Sequence, residues 1–382
     1  MTGGRAAVVA GGGIGGLATG IILRRNGFHV TVVEQAGRLG QAGSGIMLYP
    51  NGVKALDVIS PRLGRAVRAA GHVAGPAEVR PLLTPDGAVF AADPVGRLAS
   101  GFGAPQISLL RSALLGALLR EAWALGLGVR SGVAVDDHVD DGDQVKVVLA
   151  DGQVLVADLL VGADGIHSGV RERTLADGPP RYRGFTTVRC RTRAPAEFPS
   201  GFVVKGPGLD IFAAPVGGGD LYWTAKIMAA AGVWPAMTPA DAFAELVTLV
   251  ADWDTTLAGV IRGTDIREGI VVTDIRDRDP VADWSRGLVT LLGDAAHPMT
   301  PALGQGAGMA FEDAVVLTAA LLAQPDTSAA LAAYPEERAA RIADVVQLSR
   351  WKGPDGDPAA FNTHEERLAE LYGWQAPAFG SE

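Results

Sequence analysis

The 382-residue chain has one cysteine and six histidines. One cysteine excludes an intramolecular disulfide framework and any site built on a cysteine cluster. The histidines (His29, His72, His138, His167, His297 and His364) form neither an H-E-x-x-H nor an H-x-H cluster, so no metal is implied. No G-x-S-x-G is present either, so a hydrolase triad lacks its nucleophile elbow. Basic residues are in the minority, 33 Lys+Arg against 42 Asp+Glu, for a net charge of −9. An acidic chain without a basic run is a poor partner for nucleic acid or an anionic membrane. Charged residues make up 20% and hydrophobic ones 48%, which excludes disorder. The length suggests roughly two or three structural units.

Glycine, by contrast, is abundant, with 51 copies. At that frequency about one G-x-G-x-x-G match is expected by chance, so the pattern needs its context. The match is Gly11-x-Gly13-x-x-Gly16, inside an uncharged run from Ala6 to Leu23. Length alone would allow a membrane span or a signal peptide there. The clustered glycines argue against it, because a helix core would lose too much backbone entropy to them. The run divides instead into a strand (Ala6–Ala10), a glycine turn and a helix from Ile14 to Asn26, stopped by Gly27. His29–Glu34 then reads as a second, buried parallel strand. In such a βαβ unit the first glycine permits the tight turn, the second admits a pyrophosphate, and the third lets helix pack on strand. The helix N-terminus offers free N–H groups to phosphate, and Glu34 stands where a carboxylate meets a ribose. The unit predicts a dinucleotide site in a cytoplasmic protein.

Beyond Glu34 the chain lacks the run of regular βα units that NAD domains carry. Residues 40–110 are punctuated by Gly and Pro, with Pro50-Asn51 opening a short helix around Lys54–Val58. An amphipathic helix is expected at Arg111–Leu125, then strands at Val133–Val135, Val145–Leu149 and Val154–Val161. The acidic stretch Asp136–Asp143 has the wrong spacing for a calcium loop and reads as a hairpin turn. Residues 181–274 form short β stretches (Thr186–Arg191, Phe202–Val204, Leu209–Ala214, Leu221–Ile227) with one helix, Pro239–Val250. They predict a second, mainly β domain, joined by residues 73–97. Alternation places Asp210 and Phe212 on one face, and Tyr222 and Thr224 on one face. Cys190 reads as a small buried side chain.

Two more motifs lie downstream. Asp158-Leu-Leu-Val-Gly162-Ala-Asp164-Gly165-Ile-His-Ser168-Gly-Val-Arg171 is a strand, tight turn and helix start. Leu291-Leu-Gly293-Asp294-Ala-Ala-His297-Pro-Met-Thr-Pro301-Ala-Leu-Gly304-Gln305-Gly306 has the same form and leads into an apolar helix with Glu312-Asp313. With Gly45-Ile-Met-Leu-Tyr-Pro50-Asn51, Arg111-Ser-Ala-Leu114 and Tyr334/Arg338/Arg341, this triplet of motifs resembles the group A flavoprotein monooxygenases. These are the para-hydroxybenzoate hydroxylase type, and the short salicylate- and urate-hydroxylase-like members are the most similar.

The resemblance implies an α/β fold, with a Rossmann-like (GR2-type) FAD-binding domain and an inserted mainly β substrate domain. The FAD-binding parts would be residues 1–72, 98–180 and 275–350; the substrate domain 73–97 and 181–274; and the tail 351–382, with a short helix at Thr363–Tyr372. It assigns the FAD pyrophosphate to Gly11, Gly13, Ile14, Gly15 and Gly16, the adenosine ribose to Glu34 with Arg38 nearby, and the ribityl–phosphate region to Arg111 and Asp294. Amides of Gly304, Gln305, Gly306 and Ala307 would stabilise the charge of reduced flavin. Asp164 and Gly165 would shape a turn, and His297 would be structural. Met47, Arg189, Asp210, Phe212, Tyr222 and Met299 are implied to line the substrate pocket, with Pro301 and Tyr222 nearest the chemistry and His72 a weaker candidate base. Urate-oxidising members carry an Arg near the position of Asp210, so the acid here points to a neutral or cationic aromatic.

The implied reaction uses NAD(P)H and O₂ to hydroxylate a small aromatic or heteroaromatic substrate through a C4a-hydroperoxyflavin, in a monomer or homodimer. A flavin-dependent epoxidase or a Baeyer–Villiger-type tailoring enzyme is the alternative. A non-catalytic FAD-binding protein is a further one. A flavin halogenase would need W-x-W-x-I-P, and no Trp here forms it.

Overall fold

The glycine-rich run folds as its spacing predicts: β1 (Ala6–Ala10), then α1 (Ile14–Arg25), then β2 (His29–Glu34). Asn26 is the C-cap of α1 rather than its last helical residue. The structure is a computed structural model that describes residues 4–38, 44–350 and 366–378. Its first sheet runs Ser285–Arg286, Val289–Leu291, Leu159–Gly162, β1, β2, Gly128–Ser131, all pairs parallel except the first. Val9, Val32, Leu160 and Val161 are fully buried, as parallel strands covered on both faces require. Each such side chain taken from water contributes roughly 1.5–3 kcal/mol.

The helix Gly306–Ala323 is long and apolar enough to cross a membrane, and it lies mostly buried in this core. It meets α1 where a Cβ on Gly15 would sit 3.3 Å from the Ala310 Cβ. It meets α2 (Pro50–Ile59) still more closely, since a Cβ on Gly52 would stand 2.8 Å from the Gly308 Cα. Small residues at both crossings let the backbones touch, which fixes the start of this helix relative to α1 and α2.

A seven-stranded sheet covers one side, in the order Val271–Asp277, Arg181–Arg193, Asp220–Met228, Leu209–Pro215, Phe202–Gly206, Arg80–Leu83, Val89–Asp93. One face sends Val188, Cys190, Phe202, Ile211, Trp223 and Ala225 into a core of its own with the helices Pro239–Leu249 and Thr255–Arg262. The other carries Arg189, Phe212, Tyr222 and Thr224, because Phe212 and Arg189 both sit opposite Thr224. This polar face turns toward β3 (Gly45–Leu48): a Cβ on Gly45 would lie 2.3 Å from the Tyr222 ring. Ser108 Oγ, on the strand beside β3, donates to Pro215 O at 2.6 Å.

Several local expectations shift. Residues Val135–Asp140 form a strand paired with Val145–Leu149, so the turn is confined to the residues after Asp140. Cross-strand pairing outweighs the weak strand preference of Asp. The expected strand Val154–Val161 breaks at Asp158, whose carboxylate accepts from Ala6 N at 2.6 Å. The helix Thr255–Arg262, which no sequence pattern marks, starts on Asp254, whose Oδ1 accepts from Thr256 N and Leu257 N. In the tail, residues 366–372 are helical; residues 363–365 and the Gly353–Pro358 stretch lie outside the described residues.

Candidate active site

The three fingerprint glycines have three different surroundings. Gly11 has φ +105°, and a Cβ there would meet Ala163 O at 2.3 Å. On Gly16 a Cβ would stand 1.9 Å from Gly11 O. At Gly13 it would meet nothing within 4 Å. Two glycines are therefore demanded by the turn itself, and the middle one faces open space at the N-cap of α1. No acidic residue occupies the first turn of α1, so the amides of Ile14, Gly15 and Gly16 face that space with the helix dipole behind them. Glu34 Oε2 accepts from Gly12 N at 2.7 Å and Oε1 from Ala36 N at 2.8 Å, which fixes the carboxylate beside the turn. Gly12 thus joins the site; its signal is its place inside the fingerprint. Arg38 is exposed, at the edge of the described segment.

The second motif is a helix cap: Ser168 Oγ accepts from Arg171 N at 2.8 Å, and Asp164 holds both the Ser168 hydroxyl and Val170 N. Gly165 takes φ +85° in that turn. Arg171, 1% exposed, then donates to Ala295 O at 2.9 Å and to Ala296 O, tying the second motif to the third. Nothing in the linear order of the motifs signals this link.

In the third motif Asp294 is open to solvent yet surrounded by protein atoms, as a group lining an internal cleft would be. Burial raises its pKa, opposed by His297 and by Arg111. Arg111, at the start of the helix Arg111–Ala124, lines the same cleft; burial lowers its pKa, Asp294 raises it, and nearby Arg189 lowers it. Neither side chain has a hydrogen-bond partner among the described residues. Gly304 has φ +62°, and Gly306 begins the next helix with its Cβ position 3.9 Å from Asp294 Oδ1. Gln305 is 1% exposed; its Oε1 accepts from Asn51 Nδ2 at 2.9 Å and its Nε2 has no partner. Ala307 and Gly306 remain half-buried along the cleft.

His297 is 3% exposed and its Nε2 lies 2.6 Å from Asp313 Oδ2, with Trp284 edge-on to its ring. Asp313 and Glu312 share Arg338, at 2.8 and 2.6 Å. These groups form a buried frame beneath the turn.

On the substrate side, Met47 is buried against Gly304, with its Cβ 3.3 Å from the position a Cβ would take there, while Pro301 is exposed and Met299 half-buried. Tyr222 is 6% exposed, and burial raises its pKa against the lowering effect of Arg189. Arg189 Nη2 donates to Thr273 Oγ1 at 2.8 Å, and its Nε is buried without a partner. Phe212 lies under the Arg80 guanidinium, 5.1 Å from its ring centroid. Asp210, one step further out, pairs with Lys205 at 2.9 Å, so its charge is matched on the sheet itself. His72 is engaged by Glu78 at 2.8 Å.

An elongated cofactor with an adenosine end, a diphosphate and a flavin fits this set: an open cradle at Gly13, an unpartnered Arg111 and Asp294, and a helix start at Gly306. A family model described as FAD binding domain matches residues 5–349. The chain belongs to this family of FAD-dependent monooxygenases. Among curated relatives, the monooxygenase is 36% identical to aurachin C monooxygenase/isomerase of Stigmatella aurantiaca, over 92% of this chain and 91% of that one. It is 35% identical to 3-hydroxybenzoate 6-hydroxylase 1 of Aquipseudomonas alcaligenes, over 90% and 87%. Among solved structures it superposes on Klebsiella pneumoniae HpxO complexed with FAD and uric acid with TM-score 0.83 and 27% identity, covering 97% and 93% of the two chains. Its cofactor is FAD, and it acts as an oxidoreductase of the group A hydroxylase type.

Proposed function

We propose that this monooxygenase hydroxylates a small aromatic acid with O₂ and NAD(P)H. The observation that carries the substrate reading is Arg189. Its guanidinium lies on the sheet face turned to the site, beside Tyr222 and Arg111, with a buried unpartnered Nε and no carboxylate partner among the described residues. Asp210, which by itself suggests a neutral or cationic substrate, is already paired with Lys205. A half-buried cation with its Nε shielded from water and no counter-ion among the described residues favours an anionic guest. The 3-hydroxybenzoate named for one relative is of that chemistry.

Bound FAD supplies the electron transfer and the oxygen chemistry. This chain's residues bind, orient and keep out water. Gly11, Gly13, Gly16 and the amides of Ile14 and Gly15 hold the pyrophosphate, Glu34 the ribose with Arg38 alongside, and Arg111 and Asp294 the middle of the cofactor. The amides of Gly304, Gln305, Gly306 and Ala307 favour negative charge at the flavin end. Tyr222, whose phenol burial keeps protonated near neutral pH, donates a hydrogen bond to a substrate oxygen rather than taking its proton. Met47, Met299, Pro301 and Phe212 supply the apolar walls. Residues 1–72, 98–180 and 275–350 serve the cofactor, and 73–97 with 181–274 cover it; the two separate hydrophobic cores support that division.

The test is NADH and NADPH oxidation by the FAD-loaded enzyme with hydroxybenzoates and hydroxynicotinates against their amides. The acids should stimulate reductant oxidation and return hydroxylated product; equal response to acid and amide would refute the reading. Arg189→Met should raise KM for the acid roughly 10- to 100-fold, the value of a charge-assisted hydrogen bond.

A further inference from the structure

The family match ends at residue 349, yet the chain returns to the site beyond it. Residues 366–372 are helical, and Leu371 is 2% exposed within the main core. From this helix the Tyr372 ring stacks on Tyr49, with centroids 5.2 Å apart and planes at 4°. Phe102 meets the same ring edge-on at 5.5 Å. Tyr49 in turn backs the cofactor turn: its Cε2 lies 3.0 Å from where a Cβ on Gly304 would be.

A second connection runs on the other flank. Arg341 Nη2 donates to Leu371 O and to Glu312 Oε1, both at 2.8 Å. Asn51 Nδ2 donates to Glu312 Oε1 at 2.8 Å and to Gln305 Oε1 at 2.9 Å. The C-terminal helix therefore reaches Gly304 through stacked rings and Gln305 through a chain of hydrogen bonds. Glu312 is fully buried, so the second chain holds a fixed geometry rather than a solvated one.

We propose that Tyr372 is a positioning residue that backs the Tyr49 ring behind the Gly304 turn. It seats the Tyr49 ring against the Gly304 turn and so keeps water from the flavin end of the cleft. Tyr372 lies beyond the residues matched by the family model. The proposal rests on the FAD-monooxygenase reading and deepens it: the turn at the flavin end is held from behind by a two-ring stack.

The experiment uses the full-length protein loaded with FAD, with potassium iodide as a probe of flavin fluorescence. Tyr372→Ala should leave FAD stoichiometry unchanged and raise the iodide quenching constant severalfold. Tyr372→Phe, which keeps the ring, should restore the wild-type constant. If Tyr372→Ala does not fold, Tyr372→Leu keeps most of the buried volume without the stack and should show the same rise. Unchanged quenching in a folded, FAD-bound Ala or Leu variant would overturn the proposal, as would failure of Phe to restore it. A wild-type protein that takes up no FAD would refute the underlying reading instead, and that is seen before any variant is made.

Discussion

Gly13 and Gly16 belong to one fingerprint, yet the structure separates what each does, and an alanine at each position tests the separation. Gly13 has φ −74° and ψ −171°, a conformation that alanine adopts without strain, and its Cβ direction is empty for 4 Å. Two small effects oppose each other there. Alanine restricts the unfolded chain, a gain of about 0.4–1 kcal/mol. It is also a poorer N-cap than glycine, a loss of about 1 kcal/mol. The apo-protein of Gly13→Ala should thus unfold within about 1 kcal/mol of wild type. FAD should suffer, because the methyl group occupies the space a pyrophosphate oxygen needs to reach the amides. Losing one charged hydrogen bond, about 1.5–3 kcal/mol, weakens binding roughly 10- to 100-fold. In Gly16→Ala the new Cβ stands 1.9 Å from a backbone carbonyl, which cannot move without opening the turn. That variant should lose at least about 4 kcal/mol of stability, in the range reserved for overpacking and backbone strain. Urea unfolding of deflavinated protein and calorimetric titration with FAD read the two quantities independently. Equal destabilisation by the two alanines, or unchanged FAD affinity in Gly13→Ala, would refute the division of roles.

The other predictions concern charge. Burial raises the Asp294 pKa, so the folded state binds more protons than the unfolded one between the two pKa values, and this group's contribution falls as pH rises through the ordinary carboxylate range. Asp294→Asn should therefore stabilise the apo-protein at neutral pH, with the gain shrinking toward pH 4, while FAD binding weakens; denaturant melts across pH check the sign. Arg338 is buried between Glu312 and Asp313, and Arg338→Leu removes the cation they share, leaving Glu312 to Arg341 and Asp313 to His297, at a cost of about 3–5 kcal/mol by urea unfolding.

The parts of the site set by local backbone sterics are legible in the sequence. Gly11, Gly13 and Gly16 declare themselves because a βα turn admits few alternatives, and Asp294 because it closes a strand before a helix start. Parts that depend on what packs across the molecule are not. Alternation puts Tyr222 and Thr224 on one face, but only Gly45, with no side chain to keep the Tyr222 ring away, shows which face that is. Asp210 is a substrate contact only by resemblance; its pairing with Lys205 on the neighbouring strand has no local signal, because nothing in the sequence marks that register. Arg171 has the sequence context of a helix-surface residue, and its role in joining two motifs needs the third dimension. Tyr372 closes the short helix expected at Thr363–Tyr372, but nothing in the sequence says which ring that helix meets, so its contact with Tyr49 has no local signature.

The strand order of the first sheet has a consequence for how the protein comes into being. Leu159–Gly162 lies between β1 and Val289–Leu291, so the groups around the cleft come from the beginning, the middle and the far end of the chain. During synthesis the Gly11–Gly16 turn leaves the ribosome early, but it stands alone until Arg111, then Asp294, and finally the helix after Gly304 emerge. The cleft is thus complete only once strands and helix starts far apart in the chain have paired, a closure of high sequence separation and correspondingly slow.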